Sequence, residues 1–171
     1  MILVFDTETT GLIPGKDEVI QFSAIDEDGN ILINEYIRPS RHTSFPEASE
    51  VNGIYYSDLK DKPLFEHYRD RIQELFDSAD VLVTYNGKFD IAMLKGEGIQ
   101  FKKNFNHYDV MLLFAPIYGE YNRKHRSYKW QTLSTCADYY GYEFKAHDSL
   151  EDVRATLYCF KKIMEIKNAG K

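Results

Sequence analysis

The chain begins with an unbroken apolar run, MILVF, and passes at once into DTETTG. An apolar run without alternation marks a strand covered on both faces, so residues 1–8 are read as a buried strand. EVIQFSAID (18–26) and ILINEYIRP (31–39) alternate as half-buried strands do, and the turn-forming DEDGN joins them. Three early strands with short connections predict an antiparallel meander. Pro39 ends it, because proline has no N–H to give to a ladder. Residues 39–66 show little sustained periodicity and predict loops with a short helix around FPEASEVNGI (45–54). From 67 to 78 the spacing of Tyr68, Ile72, Leu75 and Phe76 is helical. DVLVTYN (80–86) returns to a continuous apolar strand, and FDIAMLKGEG (89–98) predicts a helix closed by glycine. Helices near 109–118, 131–140 and 148–167 follow. Strands first, then strand and helix in alternation, predict an α/β protein with a mixed sheet covered by helices.

Composition narrows the class. A chain of 171 residues, 43% apolar and 15% aromatic, suits one domain spanning 1–171, and no repeat or linker divides it. No apolar run approaches the roughly 18–20 residues that cross a bilayer, and MILVF lacks a basic start and a small-residue cleavage site. No membrane association is expected, and the compartment predicted is the cytoplasm. Cys136 and Cys159 fall in two predicted helices and form neither a CxxC pair nor a disulfide framework, so they read as reduced core thiols. The formal charge of −6 argues against holding long duplexes by counterion release, but not against nucleic acid as such. The segment YNRKHRSYKW (121–130) is basic and aromatic, and reads equally as a phosphate-binding arm or a solvated loop.

Candidate chemistry lies in the acids. On a strand, Asp6 and Glu8 point the same way with Cα atoms roughly 6.5–7 Å apart. Two carboxylate charges repel by about 1 kcal/mol at 4 Å in water and about 4 kcal/mol at an effective dielectric near 20, so burial calls for a cation between them. VLVTYNGKFDI repeats the theme by placing Asp90 at a strand-to-helix junction, where an aspartate also serves as a cap or dipole partner. In AHDSLEDVRATLYCF, Asp148 and Glu151 have capping-box spacing. That makes Asp148 the N-cap, His147 the residue before it and Asp152 the fourth helical residue. These last two are the positions of a hydrophobic staple, here filled by a histidine and a carboxylate, so His147 and Asp152 are expected to meet. All-oxygen donors suit hard cations, two Mg²⁺ or Mn²⁺, rather than structural zinc. Two such ions can hold a phosphodiester, generate a hydroxide and stabilise the leaving oxygen, with His147 as the base that deprotonates the attacking water.

FDTETTG, YNGKFD and HDSLEDVRAT, in this order and spacing, resemble the DEDD-type 3′–5′ exonucleases of the His-containing subgroup. That family includes bacterial DNA polymerase III proofreading subunits, ribonuclease T and oligoribonuclease. The resemblance, from residue 2 to about 160, implies a ribonuclease H-like fold. In it a mixed five-stranded sheet, three antiparallel strands then parallel ones, carries helices on both faces. It implies Asp6, Glu8, Asp90 and Asp152 as metal-site acids and His147 as general base. It further implies contacts to the terminal nucleotide from Thr9, Thr10, Glu47, Asn52 and Asn86. Asn52 stands where the family usually has histidine, which keeps a hydrogen-bonding side chain and removes the option of positive charge.

The activity implied is release of nucleoside 5′-monophosphates from 3′ ends of single-stranded DNA or short RNA. The partners implied are those ends and a DNA polymerase or repair complex, with a homodimer left open. Two other readings compete: a non-catalytic nucleic-acid or protein interaction module on the same fold, and a two-metal phosphohydrolase of small phosphate esters.

Overall fold

A computed structural model describes residues 1–169. Strands β1 (Ile2–Thr9), β2 (Val19–Ile25) and β3 (Ile31–Tyr36) form the antiparallel meander, followed by helices α1 (Pro46–Asn52), α2 (Tyr56–Leu59) and α3 (Phe65–Ser78). Then come β4 (Val81–Thr84), α4 (Gly87–Gly96), β5 (Asn106–Asp109) and α5 (Val110–Tyr118). A small hairpin, β6 (Tyr121–Asn122) with β7 (Ser127–Tyr128), precedes α6 (Leu133–Tyr139) and α7 (Ser149–Ala169). The main sheet has the order β3-β2-β1-β4-β5, with β4 parallel to β1 and β5 parallel to β4. This is the ribonuclease H-like arrangement. No described helix is long and apolar enough to cross a membrane.

Alternation along the strands divides the core into two layers. Leu3, Phe5, Phe22 and Leu82 face α3 and α4, meeting Ile72, Phe76, Met93 and Leu94. Val4 and Val83 face the other way, toward Val110, Phe114, Cys136, Val153, Cys159 and Ile163 of α5, α6 and α7. The Phe5 ring meets Phe76 edge-on at 4.9 Å, a favoured aromatic geometry. Both cysteines are buried and free, as core thiols should be.

Three expectations need correction. The apolar pattern gives no strand at 106–109, because Asn-His-Tyr-Asp lies on the sheet edge with Asn106 and Tyr108 exposed. Pairing with β4, rather than its own sequence, makes it a strand. The helix read from 109 begins at Val110, and Asp109 is its cap, accepting from the N–H of Met111. Half of the capping box at α7 forms. Asp148 Oδ1 accepts from Leu150 and Glu151, but Glu151 pairs with Arg154 instead of reaching back.

One buried carboxylate knots the end of β1 to the segment entering α1. Glu18, 5% exposed, accepts from the N–H and hydroxyl of Ser40 (2.7 Å each) and the N–H groups of Arg41 (3.0 Å) and His42 (3.1 Å). The Nδ1 atom of His42 lies 2.9 Å away. Its own backbone N–H donates to Thr10 Oγ1, and its carbonyl accepts from Thr10 N–H. Burial opposes ionisation here, but the bonds from Ser40, His42 and Arg41 outweigh it and draw the carboxyl down to about 2.

A depressed folded-state value means that Glu18 stabilises the protein above the unfolded value of 4.5, and that this stability is lost as pH falls toward about 2. Glu18→Ala should cost roughly 1–3 kcal/mol at pH 7, because several donors lose their acceptor. Urea midpoints of wild type and variant should converge below pH 4. A difference that stays constant from pH 7 to pH 2.5 would show that the carboxylate charge is not what holds the knot.

Candidate active site

The site arises where β1 outruns its neighbour. β4 pairs only with Ile2–Val4, whereas β1 continues to Thr9, so the edge of β1 beyond Val4 has no strand beside it. Asp90 of α4 fills that edge: its Oδ1 accepts from the backbone N–H of Thr7 (3.0 Å) and from Thr7 Oγ1 (2.7 Å). A side chain thereby replaces a ladder acceptor. Thr7 points toward the α4 layer, while Asp6 and Glu8 point toward the α7 layer. The register of β1 against β2 shifts at Glu8/Thr9, a bulge at the rim of the site.

The start of α7 supplies the other acid. Ser149 Oγ donates to the Asp6 carbonyl (3.0 Å), and its N–H reaches Gln21 Oε1 (3.4 Å), which docks the helix end on β1 and β2. His147 occupies the left-handed region with φ of 67°, and its N–H donates to Asp152 Oδ2 at 3.3 Å. The staple positions therefore do meet. One ligand atom each from Glu8, His147 and Asp152 lie within 4.8 Å of one another.

All ten residues singled out in the sequence line one cavity of about 780 Å³. Their side chains are not equally free. Thr9 Oγ1 donates to the Gly11 carbonyl, and Thr10 Oγ1 is taken by Glu18. Asn52 donates to the Thr9 carbonyl at 3.4 Å and accepts from Ile54 N–H at 3.0 Å, so its amide secures the end of α1 against β1. Glu47 is exposed in the first turn of α1. Asn86 sits at φ of 63°, its N–H held by Asp109 Oδ1, and Gly87 N–H is held by Asp109 Oδ2. No side chain fits at Gly87, since a Cβ there would lie 2.0 Å from Thr84 Oγ1.

The pattern did not single out Thr7, Ser149, Gln21 or Asp109. Each pairs with a group supplied by a distant segment. Only the threonine between the two acids and the serine after a helix cap offered any local signal.

The electrostatics are those of acids crowded out of water. Burial, then the charges of Asp90, Asp152 and Glu8, raise the Asp6 carboxyl well above its usual range. Burial and Asp152 raise Glu8 to about 8, with the Asn52 side chain pulling the other way. Burial raises Asp90 to about 7 against the opposing Thr7 bonds, and raises Asp152 to about 7 against the His147 N–H. Among the described residues no Lys, Arg or His nitrogen forms an ion pair with these four acids. Asp6 Oδ2 and Asp152 Oδ1 are buried without any hydrogen-bond partner. Orphaned carboxylate oxygens lining one cavity are what a hard divalent cation would satisfy, so the donor set fits Mg²⁺ or Mn²⁺.

Comparison with known proteins points the same way. The model of the exonuclease family RNase_T matches residues 3–160. The protein named uncharacterized exonuclease CP81 of Escherichia phage 186 is 30% identical over 167 residues, covering 91% of this chain and 84% of its own. DNA polymerase III subunit epsilon of Rickettsia conorii is 33% identical over 134 residues, 70% of this chain and 57% of the relative. PolC-type DNA polymerase III of Thermotoga maritima is 29% identical over 173 residues, and the match spans 96% of this chain but only 12% of that protein. Among solved structures, exonuclease X in complex with 5′ overhanging duplex DNA superposes with a TM-score of 0.73 at 21% identity, covering 98% of this chain and 93% of that one. E. coli exonuclease I in complex with a dT13 oligonucleotide gives 0.76 at 23% identity, covering 95% and 40%. At these identities the structures speak to the fold.

Acids with raised values bind protons in the folded state that they release when unfolded. The metal-free protein should therefore lose stability as pH rises from about 4 to about 8, the interval between the unfolded values and those of Asp90, Asp152 and Glu8. Thermal melts in chelator should show Tm falling across that window, and Mg²⁺ or Mn²⁺ should reverse the fall at pH 8. A Tm indifferent to divalent ions at pH 8 would mean the acids hold none. Thr7→Val keeps the backbone bond to Asp90 but loses the hydroxyl, and should weaken Mn²⁺ binding by calorimetry about 10-fold, the lower end of the range for such supporting bonds.

Proposed function

The chain belongs to the RNase_T exonuclease family, and from that premise we propose that it removes nucleoside 5′-monophosphates from the 3′ ends of single-stranded DNA or short RNA. The observation that carries this reading is the convergence of Asp6, Glu8, Asp90 and Asp152 on one cavity, with two buried oxygens unpaired and, among the described residues, no lysine or arginine paired with them. Such a site has excess negative charge that a substrate phosphodiester would worsen, unless divalent cations bind with it.

Asp6, Glu8, Asp90 and Asp152 are the residues that would hold two Mg²⁺ or Mn²⁺. When bound, such ions supply charge neutralisation for the phosphodiester and for the oxygens that attack and leave. The protein's own part is positional and acid–base. Thr7 fixes Asp90, Ser149 fixes the helix end bearing Asp152, and Asp152 fixes the backbone of His147. An exposed His147 ring is open to solvent and stands beside Glu8 and Asp152, where it can take a proton from the attacking water. Water oxygen bonds to phosphorus and the bond to the 3′ oxygen breaks. The departing oxygen takes a proton from solvent, giving a nucleoside 5′-monophosphate and a strand shortened by one residue. Glu47 and Asn86 line the cavity and are the side chains proposed to meet the terminal nucleotide, with Asn52, Thr9 and Thr10 lining it beside them.

Likeness to polymerase III epsilon and PolC supports a DNA polymerase or repair complex as partner and the cytoplasm as the place of action. Relatives that extend well beyond the matched region leave the larger assembly a matter of this proposal.

A 5′-labelled oligonucleotide with a free 3′-hydroxyl, incubated with Mg²⁺ or Mn²⁺, should yield a descending ladder, and one with a 3′-phosphate should resist. Equal release from both would favour a general phosphoesterase. Asp6→Asn should abolish turnover with Tm preserved or raised. His147→Ala should lower kcat by roughly 10²–10⁴, the usual contribution of a general base, and remove the acid limb of the pH–rate profile. An unaltered profile would take His147 out of the chemistry.

A further inference from the structure

The hairpin of β6 and β7 is the part of the surface that neither the core nor the cavity accounts for. Residues 121–130 hold Arg123, Lys124, Arg126 and Lys129 and no acid, so a chain of net charge −6 carries +4 here and −10 elsewhere. The segment forms a hairpin finger. Tyr121 pairs with Tyr128 and Asn122 with Ser127, and the ladder continues through Lys129 N–H to the Glu120 carbonyl at 2.8 Å. An ion pair joins Lys129 to Glu120, and Gln131 donates to the same carboxylate. At the tip, Asn122 Oδ1 accepts from the N–H groups of Lys124 and His125, and Arg126 closes the turn at φ of 51°.

Its two ends differ chemically. Arg123, Lys124, His125 and Arg126 at the tip are all exposed. Tyr121 and Tyr128 pack edge-on at 5.3 Å, and Trp130 follows two residues after Tyr128, just past the end of β7. These rings are 51%, 42% and 67% exposed. The tyrosine pair helps hold the hairpin, but the Trp130 ring stacks on no other ring among the described residues. The root of the finger is tied to a residue that lines the cavity. Tyr85 lines that cavity, and its hydroxyl lies 2.9 Å from the carbonyls of both Gln131 and Thr132, the residues that follow Trp130.

We propose that this finger binds the single-stranded nucleic acid leading into the site. Phosphates lie against Arg123, Lys124 and Arg126, and bases stack on Trp130 and the tyrosine pair. The inference rests on the nuclease reading above for the identity of the strand. Single strands are held by this combination of cationic track and aromatic platform, and each stacked base is worth roughly 1–3 kcal/mol. An otherwise acidic protein needs one local positive surface to capture a polyanion. The cations sit in one hairpin whose root adjoins the site.

The test measures binding and turnover separately on the full chain. Fluorescein-labelled dT30 and rU30 are titrated by anisotropy in Ca²⁺, and hydrolysis is followed in Mn²⁺ on dT30 and on the p-nitrophenyl ester of thymidine 5′-monophosphate. Replacing Arg123, Lys124 and Arg126 together by Ser should weaken binding of the 30-mers at least 10-fold. It should also lower the salt dependence of log K by about 2, at about 0.7 for each phosphate no longer neutralised, with ester hydrolysis unchanged. Trp130→Ala should weaken binding while keeping the wild-type salt slope, and it reads the stacking surface even if the triple variant misfolds. Unchanged affinity for dT30 and rU30 in both variants would overturn the inference. Wild-type protein inert toward both substrates, yet binding dT30 through the finger, would instead overturn the nuclease reading.

Discussion

Four carboxylates gathered out of water around one cavity set the terms for everything else in this fold. Burial raises the proton affinity of all four, the charges of Asp90 and Asp152 add to this at Asp6 and Glu8, and among the described residues none has a lysine or arginine paired with it. Holding them together is work done by the scaffold. The sheet supplies Asp6 and Glu8 through strand alternation. Two helices enter from opposite layers to supply Asp90 and Asp152, and each helix end is fastened to β1 through a hydroxyl, Thr7 for α4 and Ser149 for α7. The fastening satisfies Asp90 Oδ1 but leaves Asp6 Oδ2 and Asp152 Oδ1 unpaired. They are kept available.

The same division of labour runs through the rim. Residues whose polarity alone would make them free ligands are engaged in holding backbone: Thr9 and Thr10 tie the loop after β1, Asn52 ties α1 to Thr9, and Asp109 ties the turn before α4. Glu18 gathers the segment that leads into α1, so the wall bearing Glu47 and Asn52 is fixed from behind by a carboxylate outside the cavity. Asn86 and His147, both in the left-handed region, stand on the two turns that deliver Asp90 and Asp152. Backbone strain is thus concentrated at the points where the chain must turn sharply to present an acid.

How much of this was legible in the sequence depends on distance along the chain. Asp6 and Glu8 are two residues apart on an apolar strand, and their shared direction follows from alternation alone. His147 and Asp152 could be paired because helix capping is a rule about neighbours. The strand at 106–109 was not legible, since an edge strand of polar residues takes its conformation from β4. Glu18 reads as an ordinary strand residue until Ser40 and His42, more than twenty positions away, are folded onto it. Thr7 was hidden for a subtler reason: its role depends on where β4 stops, which no feature of β1 records.

That early stop has a wider meaning. In a sheet with strands trimmed flush, every interior amide would be spoken for and the two sides would be sealed from each other. Here the stagger leaves a notch at the margin, and a helix from beneath can pass a side chain through it to meet one descending from above. An acid cluster of this kind is therefore tied to unequal strand lengths: extend β4 by two or three residues and the gateway closes, whatever acids remain in place.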